Sequence, residues 1–403
     1  MSVVVERGPR TLEHPLPPGM RDLLPEEAAG RRDLARSVLE RFALHGYRLV
    51  TPPAFELAAV LERGLKGDTT TLDDVIRFIE PESGEVAVLR PDVTPQIARI
   101  VATRLHDHPP PFRLAYEGTV LRRRASRAKK HRQIPQVGVE LCGVAGAEGD
   151  LELLRLTFDV LRHGAGLERF TIDLSDAGIV RELLADLPSA QSLALSSALG
   201  RKDEPALTEL SAAVPGGDRI RALARLHGGR AAILEAIVLL DGTRAEAPAR
   251  RLLALFDAAS AIGLGPWLSV DPGEVRGLAY YTGTTFSVYA EGPGEPIGGG
   301  GRYDDLLARY GAPLPAVGLA LDLDALAWAL RVEQPRSGAT SGVVVVGAHD
   351  DPRLAALRAV GIPAVAIDDA ARAHAYARAW GFALVCEREQ SADDVTRVLR
   401  GTL

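Results

Sequence analysis

The sequence is poor in the residues that staple or anchor a chain. Its two cysteines, Cys142 and Cys386, are too few and too far apart for a disulfide framework or a cysteine-ligated zinc site. Nothing in that usage asks for an oxidising compartment. No apolar run approaches the ~18 residues of a membrane-spanning helix. Residues 1–18 carry charges and four prolines but no continuous apolar stretch, so a secretory signal is not expected there and a cytoplasmic location is. Chemical motifs are also missing. There is no His-Glu-x-x-His and no Walker-type phosphate loop. His106-Asp-His108 stands beside Pro109-Pro110-Pro111 and reads as a loop, not as a pair of metal ligands, so no metal is expected. The 47 basic residues are outnumbered by 53 acidic ones, a net charge of −6. That balance argues against the broad positive field of a general nucleic-acid binder.

What is present is ordinary globular composition, 46% hydrophobic and 25% charged. At roughly 150 residues per domain the length predicts two or three domains, enough to bury a sizeable core. After a loose arm over 1–18, Leu34, Val38 and Phe42 recur every four residues and predict a helix over 26–45, stopped by Gly46. Residues 47–50 read as a strand ended by Pro52-Pro53, and 75–80 and 85–90 as strands about a Ser83-Gly84 turn. A helix is expected over 94–105.

Two longer strands follow. Over 112–124, Phe112, Leu114 and Tyr116 share a face. Over 134–143, Val137, Val139 and Leu141 share one face, and Gln136, Gly138 and Glu140 the other. Between them, residues 122–132 hold five Arg and two Lys with no acid. A helix over 151–163 and a strand at 170–174 precede an Ala/Leu-rich helical insert of about 176–264. Strand patterns return at 268–270 and 284–290. Gly298–Gly301 reads either as a nucleotide loop or, more plainly, as a place where backbones approach closely. A helix is expected over 322–330. Residues 331–341 read as a linker, and 342–403 alternate strand and helix as in a small parallel α/β domain.

Gln136 and Glu140 point the same way from one strand, and Arg90, Asp92 and Thr94 alternate to one side. Such a set is either a solvated sheet face or a polar pocket for a small zwitterion. In the pocket reading, Glu140 or Asp92 holds an ammonium or imidazolium, and Arg276 clasps an anionic group with its fork of donors. The basic stretch 122–132 is either a phosphate contact or a solvated hairpin tip, and no aromatic residue lies within it to stack a base.

Taken in order, several segments over about 16–330 resemble the histidyl-tRNA synthetase family of class II synthetases. Leu16-Pro-Pro-Gly-Met-Arg-Asp-Leu-Leu-Pro25 is similar to the family's opening, and Gly46-Tyr47 through Pro53 to its dimer-forming first motif. Tyr116-Glu-Gly-Thr-Val-Leu-Arg-Arg123 with Gln136-Val-Gly-Val-Glu140 resembles the second-motif hairpin. Arg276-Gly-Leu-Ala-Tyr-Tyr-Thr-Gly283 resembles the histidine-recognition segment. Gly300-Gly-Arg-Tyr-Asp304 and Pro315-Ala-Val-Gly318 lead toward the third motif.

The departures from the family are specific. Arg122 is followed by Arg124, where the synthetase has an ATP-contacting Glu. Asp324 and Ala325 replace the third motif's Glu-Arg pair, Asp322 replaces a Gly, and Ala279 replaces an acidic residue. Carboxylates where an arginine holds phosphates oppose a polyanion, so adenylation is expected to be lost. Arg90-Pro91-Asp92-Val93-Thr94 keeps the family's Arg-Pro-Glu-x-Thr with a shorter acid. The segment Leu89–Arg99 resembles the synthetase paralogue that serves ATP phosphoribosyltransferase as its regulatory subunit.

The resemblance implies an α+β fold, a class II synthetase-like antiparallel sheet with flanking helices and a helical insert, in a body over 1–330. A reduced anticodon-binding-like α/β domain follows over 342–403. It also implies no catalysis by this chain alone and no cofactor. The implied partners are a short-form catalytic subunit, a second copy of this chain at a dimer core, and histidine as effector. Asp92, Thr94, Gln136, Glu140, Arg276, Tyr280 and Tyr281 are its implied histidine contacts, and Arg122 its second-motif anion contact. A divergent histidyl-tRNA synthetase and a tRNA-sensing module are the rival readings.

Overall fold

The computed structural model describes residues 16–65, 75–123, 131–275, 280–333 and 342–401. The chain divides into two compact units, Met1–Gln334 and Pro335–Leu403.

In the first unit, helix Pro25–Leu44 opens with Pro at its start and Glu26 and Glu27 in its first turn, and closes with Arg41 in its last. That order suits both the missing proline N–H and the helix dipole. The strands are β1 (Arg48–Leu49), β2 (Phe55–Leu57), β3 (Ile76–Ile79), β4 (Val86–Leu89), β5 (Phe112–Leu121), β6 (Gln133–Cys142), β7 (Thr171–Asp176), β8 (Leu268–Val270), β9 (Thr284–Tyr289), β10 (Gly298–Arg302) and β11 (Ala316–Asp322). Eight of them form one sheet in the order β1-β5-β6-β11-β10-β9-β7-β8. The six inner strands run antiparallel, whereas β1 joins β5 and β8 joins β7 in parallel. The expected antiparallel sheet is therefore mixed at its edges. A parallel neighbour needs a long crossover. Between β7 and β8 that crossover contains the helices from Ala177–Leu183 to Glu246–Ala261. Strands β2, β4 and β3 make a separate small antiparallel sheet.

Strand period sorts the sheet's two faces. Val137, Val139 and Leu141 of β6 join a core with Phe42, Leu153, Ile172 and Leu252. Helix residues of the crossover, among them Leu207, Ile220 and Ile233, belong to that same core. Leu114 and Tyr116 of β5 and Ile134 and Cys142 of β6 face the opposite way, against Leu61, Ile97 and Val101. Helix Thr94–Arg104 covers this second face and supplies Ile97 and Val101 to it.

Gly298–Gly301 is a strand, threaded between β9 and β11. A Cβ on Gly300 would stand 1.8 Å from the Gly318 carbonyl oxygen, so close backbone approach accounts for glycine there. At the end of β10, Arg302 is buried. It donates from Nε to Asp150 Oδ1 (2.7 Å), from Nη1 to Asp304 Oδ1 (2.9 Å) and from Nη2 to the Gly146 carbonyl (2.7 Å). Thr284 Oγ1 donates to the other Asp150 oxygen at 2.9 Å. A buried ion pair persists only when its remaining valences are filled this way.

The second unit holds β12 (Val343–Val346), β13 (Ala364–Ile367) and β14 (Leu384–Cys386), parallel in the order β13-β12-β14. Four consecutive buried valines make β12, as expected of a strand covered on both faces. Asp351 and Asp369 cap helices Pro352–Ala359 and Ala370–Trp380 by accepting from the backbone N–H of Arg353 and Arg372. Among the described residues, no helix is long and apolar enough to cross a membrane.

Candidate functional site

The even-numbered side chains of β6 face helix Thr94–Arg104, and Glu140 is the acid among them, 1% exposed. The N-terminus of that helix brings Thr94 to it. Thr94 Oγ1 donates to Glu140 Oε1 at 2.7 Å, and the Tyr303 hydroxyl donates to Oε2. Asp92 sits just before the helix and accepts the Thr94 N–H on Oδ1 at 3.2 Å and the Tyr280 hydroxyl on Oδ2 at 2.7 Å. The Tyr280 ring meets Tyr303 edge-on at 5.5 Å and lies 5.0 Å from Tyr281.

Two glycines open this space. Gly138 of β6 lies opposite Tyr116 of β5, and a Cβ there would fall 2.4 Å from the tyrosine's hydroxyl end. Gly318 of β11 lies opposite Glu140, and a Cβ there would fall 1.8 Å from Oε2. The Tyr116 hydroxyl is buried without a hydrogen-bond partner among the described residues. A buried orphan hydroxyl is costly. Beside two carboxylates it marks a place where a polar ligand atom would restore a bond.

Burial pushes the Glu140 carboxyl up to about 8, outweighing the hydrogen bonds from Tyr303 and Thr94, and Asp92 adds repulsion. Burial first, then the nearby carboxylates, holds the Tyr116, Tyr280 and Tyr303 hydroxyls well above the usual phenol range, so they stay protonated donors. Among the described residues, no Lys or Arg hydrogen-bonds Asp92 or Glu140. Two acids walled by aromatic rings make a site suited to a small organic cation, which would stabilise the charged form of Glu140.

That environment sets a pH dependence. Glu140 has an ordinary value of 4.5 in the unfolded chain and about 8 in the fold. Between those values the folded chain keeps a proton that the unfolded chain has lost. Its contribution to stability is fully present at acidic pH, falls as pH rises from about 4.5 to about 8, and then levels off. The slope is at most about 1.4 kcal/mol per pH unit. Denaturation at a series of pH values should show this loss in the native chain and not in Glu140→Gln. Identical curves for both would refute the assignment.

The other expected site residues are placed as follows. Gln136 shares the Glu140 face of β6 but lies four residues along it, opposite Gly118 and Asp322 and partly exposed. No hydrogen bond among those described ties it to the Asp92–Glu140 group. The Tyr281 ring packs against Tyr280 in this group, and its carbonyl accepts from Arg181 at 3.4 Å. Arg122 is exposed past the end of β5, where its carbonyl accepts from Arg132 Nε at 2.9 Å. Arg276 and Ala279 lie outside the described residues, as does 124–130 of the basic stretch.

Arg90 departs from expectation. It turns away from Asp92 and Thr94 to donate to the carbonyls of Thr119 (2.8 Å), Pro52 (3.1 Å) and Pro53 (3.2 Å). Strand β4 ends at Leu89, so alternation no longer governs the residues beyond it.

Sequence reasoning missed Tyr303 and Tyr116. Tyr303 was in view within Gly300–Asp304, but its bond spans 163 positions to Glu140. Tyr116 read only as an apolar strand residue. The third-motif acids also have work of their own. Asp322 Oδ1 accepts from the N–H groups of Asp324 (2.9 Å) and Ala325 (3.1 Å), capping helix Leu323–Glu333. Asp324 pairs with Arg21 at 2.7 Å, and Arg31 stands 3.9 Å away. Among the described residues, no cluster of three His, Cys, Asp or Glu side chains is arranged to hold a metal.

Comparison with known proteins agrees across three lines. A sequence model of the histidyl-tRNA synthetase family matches residues 19–326. The ATP phosphoribosyltransferase regulatory subunit of Syntrophotalea carbinolica is 38% identical over 321 residues, covering 78% of this chain and 74% of that protein. The regulatory subunit of the same name from Anaeromyxobacter sp. (strain Fw109-5) is 42% identical over 319 residues, covering 78% of this chain and 92% of the relative. The fold matches the crystal structure of an ATP phosphoribosyltransferase regulatory subunit/histidyl-tRNA synthetase from Bacillus halodurans C. That match has a TM-score of 0.79 and 27% identity, over 94% of this chain and 99% of the other.

Proposed function

This chain belongs to the family of ATP phosphoribosyltransferase regulatory subunits, which share the histidyl-tRNA synthetase fold, and from that membership we propose that it activates a short-form catalytic subunit and carries a histidine site for feedback inhibition. Asp92, Thr94, Glu140, Tyr280 and Tyr281 receive the amino acid's cationic groups, and Gln136 and Arg276 are its further contacts, Arg276 to the carboxylate. Histidine biases the complex by binding one of its states more tightly, a coupling worth about 1–3 kcal/mol.

The observation that carries the non-catalytic part of this reading is the pairing of Asp324 with Arg21 beside Ala325. At the place where a synthetase holds ATP phosphates with an arginine, this chain has a methyl group and a carboxylate engaged in its own ion pair. We infer that adenylation is lost. A second copy of the chain is the further partner, packed on the first-motif segment 46–53, where Leu49 is exposed. Residues 342–403 serve as a reduced anticodon-binding-like domain, and the complex works in the cytoplasm.

The test is reconstitution. The purified chain should co-elute with a short-form phosphoribosyltransferase and raise its activity. Alone, it should give no histidine-dependent ATP–pyrophosphate exchange. Exchange above background would overturn the non-catalytic reading, and failure to bind or activate the catalytic subunit would overturn the regulatory one.

A further inference from the structure

Away from the Glu140 group, the helical crossover contains a cleft of about 390 Å³. Helices Glu204–Ser211 and Gly217–Arg225 line it, with Lys202 and Asp271 on one side. Three cations, Lys202, Arg221 and Arg225, meet two acids, Glu204 and Asp271, and His227 stands at the same wall. Leu207 and Ala224 provide apolar surface.

The backbone shows that the cationic wall is held in place. Lys202, with φ of 50°, is the one non-glycine with a positive φ among the described residues. It ends helix Ser189–Gly200 in the left-handed conformation common just past a helix, its N–H on the Leu199 carbonyl and the Asp203 N–H on the Ala198 carbonyl, both at 3.0 Å, which fixes where the side chain starts. Its ammonium lies 2.8 Å from each Asp271 oxygen, and Asp271 is oriented in turn by the Gly273 N–H at 3.0 Å. Glu204 is matched by Arg225 Nε at 3.0 Å. Each acid in the cleft thus has its own cation. Arg221 donates to Ser211 Oγ and pairs with Asp218, whose side chain is 93% exposed and screened by water. The surplus charge in the cleft is positive.

We propose that this cleft binds a small organic dianion, a phosphate monoester or dicarboxylate of a few carbons. Arg221 and Arg225 present forked donors to its charged oxygens and Lys202 adds a point charge. The carbon skeleton rests on Leu207 and Ala224. Among the described residues no Phe, Tyr or Trp lines the cleft, so it offers no large ring platform for a stacked nucleobase. The site is separate from the Asp92–Glu140 pocket and does not depend on histidine binding there.

The experiment is calorimetric titration of the full chain with glycerol 3-phosphate and, separately, with malate. Saturable one-to-one binding of either probe is expected, and the two arms tell the phosphate class from the carboxylate class. Arg225→Gln and Lys202→Gly should each weaken it about tenfold or more, the loss of one charge-assisted contact. Glycine accepts the Lys202 backbone without strain, but Asp271 loses its cation, so the melting curve of Lys202→Gly is read beside its binding and Arg225→Gln, whose partner Glu204 is exposed, is the variant that separates ligand contact from folding. Glu140→Gln should leave this binding unchanged. The proposal fails if neither probe saturates at about 10 mM, a concentration that would reveal millimolar affinity. It also fails if both variants, shown to be folded by their melting curves, bind as the parent does.

Discussion

Glu140→Gln is expected to weaken histidine binding by about 30-fold or more while making the fold at pH 7 more stable, by up to about 3 kcal/mol. Removing one side of a buried charge pair costs about 2–5 kcal/mol of binding, and 2 kcal/mol is already that factor. The stability expectation follows from the same burial. A carboxyl pushed up to about 8 is mostly protonated at neutral pH, so in the fold an amide of equal shape replaces a neutral group, while the ionisation that favours the unfolded native chain above about 4.5 is removed. The Thr94 and Tyr303 hydroxyls keep a partner on each side of it. Histidine arriving as a cation must draw the proton off Glu140. Binding by the native chain at pH 7 should therefore release a proton, visible as a buffer-dependent heat, and binding by the variant should not. Unchanged affinity in the variant would move the histidine site elsewhere, with the interface to the catalytic subunit as the next place to look.

The largest stability effect is expected at Arg302→Met. Arg302 and Asp150 are both nearly sealed from solvent, with side chains 6% and 8% exposed. Burial already raises the Asp150 carboxyl, and Arg302 is the chief influence opposing that rise. Taking the guanidinium away strands the acid and leaves the Val144 and Gly146 carbonyls without their donor. Loss of one partner of a buried pair costs about 3–5 kcal/mol, a large part of the 5–15 kcal/mol that holds a typical domain. Denaturant titration should show this as an early transition. Removing both charges, in Asp150→Leu with Arg302→Met, should recover much of the loss, because no lone charge then remains buried. A single-variant loss of less than about 1 kcal/mol would contradict the account.

How far the fold and its site could be read in advance differs from place to place, for physical reasons. Alternation along 134–143 separated Glu140 from Val139 and Leu141 because both faces of β6 are buried in different ways. The same reasoning failed at Arg90, one residue past the end of its strand, where three carbonyls rather than a pleat direct the side chain. Asp322 and Asp324 read as charges set against a polyanion, yet one caps a helix and the other pairs with Arg21. Their partners are backbone N–H groups and an arginine some 300 positions upstream (Arg21 to Asp324), neither of which spacing reveals. Tyr116 and Tyr303 were invisible as polar residues. A tyrosine shows its apolar body in the hydrophobic pattern, and its hydroxyl declares itself only when the sheet brings an acid to it. Gly298–Gly301 was legible as a close approach, but not that Gly300 meets the Gly318 carbonyl or that Gly318 faces Glu140.

The eight-stranded sheet ends in β1, two residues long, and β8, three residues long. On its outer side β8 is bridged by Gly228, which exchanges backbone bonds with Val270. A foreign strand seeking to extend this sheet would find at most a few backbone donors and acceptors before the ladder ran out. Its longest inner strands, β5 and β6 at ten residues each, are the kind of segment that pairs with foreign strands when bared. Because the edge strands of this sheet are so short, its margins offer a foreign strand little to pair with, a protection that lies in strand length and not in surface charge.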